Sequence, residues 1–366
     1  MEINENIKDQ KVLELFKTLK PALIIENLFG IFRYRERDGK IYPLNRKIKL
    51  FSATTLFIYA TIYCVESYIY YTGRESASES NALYFIPSAV IVTQQFTSVI
   101  VSLSTSQANL DILVAFANLD CLLQTNECFC KTNKKQVVIL FTVFIAYHVI
   151  YFICLLIELN LLDGPFLAFF VYVERNIEIL IFHIFISFLN IRLQNNLRLM
   201  NHVSSHNVNL KELTKSYAII GELCNTINEN FNYLILTTIV STFAVIVVNI
   251  WYNLLFLGEE AETNIVLAIF LWCAPEFFVV CNLCVLCEKL RSTRNFTKVY
   301  VNEIIMNHDL PSIMRKQAKI FMDIIDVWQL QIFACDLIIV DIKLLLEYVC
   351  VVTTCIIIIF QIQRVA

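Results

Sequence analysis

Charge is scarce in this chain. Asp, Glu, Lys and Arg make up 17% of its 366 residues, against about 25% in soluble domains, while 57% of the chain is hydrophobic, against about 45–50%. That imbalance excludes an ordinary cytosolic protein, because the apolar residues come in membrane-length runs rather than amphipathic stripes. Glycine and proline are equally rare, six of each, so little interrupts a helix. No block of basic residues is interleaved with aromatics, so nucleic acid is not an expected partner. The first 49 residues are charged throughout and lack the apolar core of a signal peptide, so the first spanning segment is expected to serve as the insertion signal.

Histidine is also sparse, five in all. His148 and His183 are the only ones in apolar runs, and no nucleophile or metal spacing surrounds them, so an enzyme is not expected. Cysteine is plentiful at thirteen, yet most thiols lie within apolar runs, where a thiol behaves as a small hydrophobe. Cys281, Cys284 and Cys287 repeat every three residues without a nearby His or a ribbon-like surround, so they read as packing residues rather than zinc ligands. The polar-loop pair Cys128 and Cys130 receives no role. No metal and no cofactor are expected.

Seven stretches reach the roughly 20 residues needed to cross about 30 Å of hydrocarbon: 50–71, 83–104, 137–158, 165–189, 233–257, 264–287 and 337–362. With the N-terminus cytoplasmic, 25 of the 29 Lys and Arg fall on the inner side, and only Arg74 and Arg364 fall on the outer. The positive-inside rule therefore predicts an all-α, polytopic plasma-membrane protein with the N-terminus in and the C-terminus out. G-protein-coupled receptors have the opposite orientation, and Val173-Glu174-Arg175, which resembles their acidic-Arg motif, would lie in the outer half of span four.

Charges inside spans suggest function unless they pair. Arg175 and Glu178, three residues apart, suit an ion pair within span four, while Glu66, Glu276 and His148 stand isolated and read as satisfied polar residues in the bundle. Between spans, residues 207–232 place Leu210, Leu213, Tyr217, Ile220, Cys224, Ile227 and Phe231 at helical spacing, and residues 311–335 repeat the device with Ile313, Ala318, Phe321, Ile324, Ile325, Trp328 and Phe333. These segments predict a packed helical layer on the cytoplasmic side, able to hold subunits together.

Span seven differs from the rest. Asp336, Lys343, Glu347, Thr354 and Gln361 fall within a sector of about 40° on a helix whose opposite side is almost wholly Ile, Leu and Val. From spacing alone, this stripe suits equally a water-filled path shared by four copies and a row buried inside a monomeric bundle.

The segment Phe333-Ala334-Cys335-Asp336-Leu337-Ile338-Ile339-Val340-Asp341, followed by Thr354-Cys355, five hydrophobic residues and Gln361-Ile362, resembles the C-terminal signature of insect gustatory receptors, which is Thr-Tyr, five hydrophobic residues and Gln-Phe. Cys355 stands in place of its Tyr and Ile362 in place of its Phe. Asn228-Glu229-Asn230-Phe231 resembles the family's Asn-x-x-Phe element. The resemblance implies a tastant-gated, non-selective cation channel related to insect odorant receptors, assembled as a homotetramer or with related receptors. It further implies a cytoplasmic segment at 1–49, a ligand-binding bundle within 50–289, a cytoplasmic anchor at 290–336 and a pore-lining helix at 337–366. Carried over by register, Gln361 and Ile362 form the outer gate with Ile358 one turn below; Thr354 and Glu347, on the same polar face, are expected to line the path deeper in. A small-molecule tastant is expected among the outer halves of spans two to six, where Tyr84, Tyr151, Phe169, Phe170, Tyr172, Glu174, Trp251, Tyr252 and Trp272 fall; Trp and Tyr also favour headgroup depth, where they meet membrane lipids. The competing reading is a seven-span receptor that signals through a cytoplasmic partner without conducting.

Overall fold

The computed structural model describes residues 5–37, 39–72, 81–123, 127–158, 166–201, 210–255 and 262–365. Ten helices dominate the described residues: α1 (Glu5–Leu28), α2 (Arg46–Thr72), α3 (Asn81–Ser104), α4 (Ser106–Leu122), α5 (Glu127–Glu158), α6 (Phe166–Asn201), α7 (Leu210–Leu255), α8 (Glu262–Met306), α9 (Ser312–Val327) and α10 (Ile342–Val365). Two small antiparallel hairpins complete them, β1 (Arg35–Arg37) with β2 (Lys40–Tyr42) and β3 (Phe333–Ala334) with β4 (Ile338–Ile339).

Each of the seven expected spans falls on its own helix: α2, α3, α5, α6, α7, α8 and α10. Among the described residues, α2, α6, α7 and α10 carry windows long and apolar enough to cross a membrane. The apolar runs of α3, α5 and α8 continue into residues whose side chains are not described.

The helices outrun the bilayer. At 1.5 Å per residue the 46 residues of α7 extend about 69 Å, more than twice a hydrocarbon core of about 30 Å. Its first half is the expected amphipathic segment, and Leu210, Leu213, Tyr217, Ile220, Cys224, Ile227 and Phe231 are all buried there. They pack on the far end of α6, where Ile181, Phe182, Ile184, Phe185, Phe188, Leu189 and Leu193 are buried, and on Ala318, Phe321 and Ile325 of α9. Cys224, Cys284 and Cys287 sit in this core as small hydrophobes. One close approach requires a glycine: a Cβ at Gly221 would stand 2.3 Å from the Trp328 ring, whose backbone carbonyl also accepts the Tyr217 hydroxyl at 3.3 Å.

Four expectations need correction. The second amphipathic helix ends at Val327 rather than 335; the chain then extends into β3, and Ile313, expected on the packed face, is 73% exposed. The seventh helix begins at Ile342 rather than 337. Cys335 and Asp336 both have positive φ and close the β3–β4 turn through Leu337 N–H donating to Ala334 O at 3.1 Å, so Asp336 is not part of the helical stripe. Arg175 and Glu178 do not pair with each other. Glu276, read as isolated, is the acceptor for Arg175, and Glu178 is held by Arg33.

Two helices escaped the sequence reading altogether. α1 lies within the charged first segment, and α4 continues α3 after a 66° bend at Thr105. Both bury one face in the main apolar core through Leu19, Leu23, Ile112, Leu113 and Phe116. Asp120 at the end of α4 receives two hydrogen bonds from Arg192, at 3.0 and 2.7 Å, and the guanidinium lies over Phe116 and Phe188 at 4.7 and 5.4 Å. This forked pair, with Arg192 fully buried and Asp120 nearly so, fixes α4 against α6.

Candidate functional site

The polar line survives on α10 as Lys343, Glu347, Thr354 and Gln361, and all four are exposed. α10 packs chiefly on α7 and α8, using Leu344, Tyr348, Val352, Ile356 and Ile359 as its inner face. At 100° per residue the polar line stands about 145° from the centre of that face. The row is therefore not packed inside this chain's own bundle. Its flanks, Val351, Ile357 and Ile358, are about half exposed as well. Polar groups at membrane depth must meet protein or water, because lipid offers no hydrogen-bond partners. Ile362 lies outside the described side chains.

The base of α10 is tied down by several groups at once. Asp341 caps the helix by accepting Leu344 N–H at 3.0 Å, the expected bond from a cap residue to the third helical position. Its other oxygen receives Arg291 of α8 at 2.8 Å. Tyr348 donates to Thr242 of α7 at 3.2 Å and sets its ring edge on Phe243. The two segments that carried the family resemblance meet here: Asn228 of α7 accepts Phe333 N–H at 2.8 Å, just before the turn that leads into α10. Phe231, three residues on, packs between Phe182 and Phe185 and under the Arg33 guanidinium at 5.1 Å.

Arg33 is the functional residue that sequence reasoning missed. It comes from the loop after α1 and is 3% exposed. Its Nε donates to Glu26 at 2.8 Å, one Nη donates to Glu178 of α6, and the other reaches Asn109 of α4 at 3.5 Å. Burial pushes the Glu26 carboxyl well above its usual range, against the opposing pull of Arg33. The signal available in the sequence was Glu178 itself, a carboxylate on an apolar helix in need of a cation.

Higher in the bundle a cavity of about 170 Å³ opens between α5, α6 and α8. Phe144, Tyr147 and Phe278 supply aromatic walls, and His148, Asn176 and His183 supply polar groups. His148 donates from Nδ1 to Phe144 O at 2.8 Å and accepts the Asn176 amide on Nε2 at 3.2 Å, which assigns the ring proton to Nδ1. His183 Nε2 is buried without a partner among the described residues. One turn or less from this cavity, Arg175 donates to Glu276 at 2.6 Å, joining α6 to α8 across the turn that holds Pro275. Of the expected ligand-contacting residues, only Trp251 has a described side chain: it is half-buried on α7, and its indole N–H is buried without a partner among the described residues. Tyr84, Tyr151, Phe169, Phe170, Tyr172, Glu174, Tyr252 and Trp272 lie outside the described side chains.

The sequence profile of the 7tm chemosensory receptors matches residues 19–364, from α1 through to the last turn of α10. The chain belongs to the 7tm chemosensory receptor family. This is a family of multi-span membrane receptors rather than of enzymes. The insect olfactory receptor OR5 from Machilis hrabei shares the fold of this chemosensory receptor: in its complex with eugenol it superposes with a TM-score of 0.71 at 13% identity, over 96% of this chain and 100% of that one. A second structure of the same olfactory receptor gives 0.70 at 14% identity over the same shares. At such identity the likeness speaks for the fold alone. No match was found among curated protein sequences.

Proposed function

We propose that this chemosensory receptor is a taste receptor that acts as a tastant-gated, non-selective cation channel, with four copies arranged around their α10 helices. The observation that carries the reading is the polar line of α10, which is exposed on a face its own chain leaves free. Four such lines around an axis make a wet path through a membrane. A ring of Gln361 offers amide oxygens to a partly hydrated cation, and Ile358 and Ile362 form an apolar constriction that closes by dewetting. Lys343 and Glu347 pair at 3.7 Å, so the inner mouth carries little net field from this row and selects weakly.

The same reading accounts for how a ligand moves the gate. α8 is one continuous helix that lines the α5–α6–α8 cavity with Val279 and Asn282, and about 14 Å further along holds Asp341 at the foot of α10 through Arg291. A tastant lodged among the spans displaces α8, and the displacement reaches α10 through this ion pair. The aromatic walls and the His183 nitrogen, which has no partner among the described residues, suit a small, largely apolar ligand with one or two polar groups.

Two measurements test this function. Purified receptor in liposomes should pass ligand-evoked current when challenged with a tastant library; silence of verified tetramers across the library would favour a receptor that signals through a cytoplasmic partner. An epitope tag after Ala366 should stain unpermeabilised cells, as the positive-inside orientation requires. Staining only after permeabilisation would invert the topology and remove the outer gate from Gln361.

A further inference from the structure

We propose that the groove between the inner parts of α6 and α8 holds the headgroup of an anionic phospholipid from the cytoplasmic leaflet. The groove is open to the surface, has a volume of about 530 Å³ and shares no lining residue with the ligand cavity or with α10. Its polar lining is Gln194 of α6 and Glu288, Lys289, Ser292 and Thr293 of α8.

The argument begins with charge. α8 carries four cations in its inner part, and three are already satisfied: Arg291 by Asp341 at 2.8 Å, and Lys298 and Arg294 by Asp326 at 2.5 and 3.8 Å. Lys289 is exposed and has no acidic partner among the described residues. The one carboxylate in the groove, Glu288, faces Arg291 at 3.8 Å, so along this stretch of α8 four cations stand against the three carboxylates Glu288, Asp326 and Asp341, and Lys289 is the cation left over. Gln194 and Ser292 likewise have no hydrogen-bond partner among the described residues. An ammonium, an amide and a hydroxyl on one groove are donors in search of acceptors, and a phosphate diester supplies acceptor oxygens with negative charge.

Depth identifies the source of that phosphate. Val285, 48% exposed, stands one turn before Lys289 at the end of span six, and Ser292 stands about 4.5 Å beyond it along α8. Each headgroup layer is roughly 5–8 Å deep, the difference between a hydrocarbon core of about 30 Å and a bilayer of about 40–45 Å, halved. The groove therefore offers an apolar surface at acyl-chain depth and donors at headgroup depth. A soluble phosphate would need only the second. Basic pockets between helices on the cytoplasmic side are where anionic headgroups bind, and each Lys near the surface contributes about fivefold in affinity. Placement in the cytoplasmic leaflet rests on the orientation proposed above; binding itself does not.

Native mass spectrometry of full-length receptor in detergent, titrated with phosphatidylserine or phosphatidylcholine, tests this directly and is indifferent to topology and to conduction. Phosphatidylserine should be retained in preference to phosphatidylcholine. Lys289→Gln should lower its retention by about fivefold, while Lys289→Arg keeps it and Lys298→Gln, whose parent is already paired, leaves it unchanged. Should Lys289→Gln fail to fold, Ser292→Ala combined with Gln194→Leu should lower retention in its place. Equal retention of the two lipids, no loss in either the Lys289→Gln or the double variant, or full displacement of phosphatidylserine by millimolar inorganic phosphate would overturn the assignment.

Discussion

Arg33→Ala is expected to remove most of the folded receptor. The substitution leaves Glu26 and Glu178 buried, at 0 and 2% exposure, with the cation that joins them gone. Breaking a buried ion pair by deleting one partner costs about 3–5 kcal/mol, a large part of a total stability of about 5–15 kcal/mol. It also releases four contacts at once, because this one guanidinium reaches α1 through Glu26, α4 through Asn109, α6 through Glu178 and α7 through Phe231. Size-exclusion profiles of fluorescently tagged receptor should show the monodisperse peak lost or much reduced. The triple variant Arg33→Met, Glu26→Met, Glu178→Leu separates the cost of an unpaired charge from a need for the charges themselves. Replacing a whole buried ionic cluster by apolar residues is often neutral, so the triple variant should recover much of the peak. A wild-type profile for Arg33→Ala would show that the cluster contributes nothing to folding.

The cluster also shows where sequence reasoning stops. The spans were legible because hydrocarbon thickness imposes a length and a composition on each of them, and the buried half of α7 was legible because a helix repeats every 3.6 residues. Neither rule speaks about partners far apart in sequence. Arg33 and Glu178 are 145 residues apart, and in the charge count Arg33 was one inner cation among many. Local spacing offered Arg175 to Glu178 instead, and the fold gives each a partner on another element, Glu276 for the one and Arg33 for the other. α1 and α4 were hidden for a related reason: α1 is not apolar enough to register as a span, α4 at 17 residues is too short to cross alone, and both are stabilised by burial, α1 on α4, α5 and α6 and α4 on α1 and α7.

The start of α10 was misread for a different reason. Leu337, Ile338, Ile339 and Val340 are apolar, so hydropathy joins them to the helix, but their side chains belong to the hairpin and Leu337 is 81% exposed. Asp341 was the better signal, since an Asp before an apolar run marks a helix cap. The stripe on α10 was legible as a pattern and not as a role. Spacing left the packed and the pore-lining accounts open, and it is the exposed position of Lys343, Glu347, Thr354 and Gln361 that favours the second.

The most direct measurement of the pore assignment is cysteine accessibility along α10. Cys350 is an exposed native thiol about 20° from Gln361 around the helix, so the substitutions belong in a Cys350→Ser background, and the parent receptor should itself show slow block once open. Methanethiosulfonate reagent applied from outside should abolish ligand-evoked current in Gln361→Cys at rest or open, and in Ile358→Cys and Thr354→Cys only while ligand holds the gate open. Phe360→Cys, on the apolar free face, should conduct unchanged. If Gln361→Cys, Ile358→Cys and Thr354→Cys all conduct and all remain indifferent to the reagent in the presence of ligand, α10 does not line the path and the account of this receptor as a channel built around it is wrong.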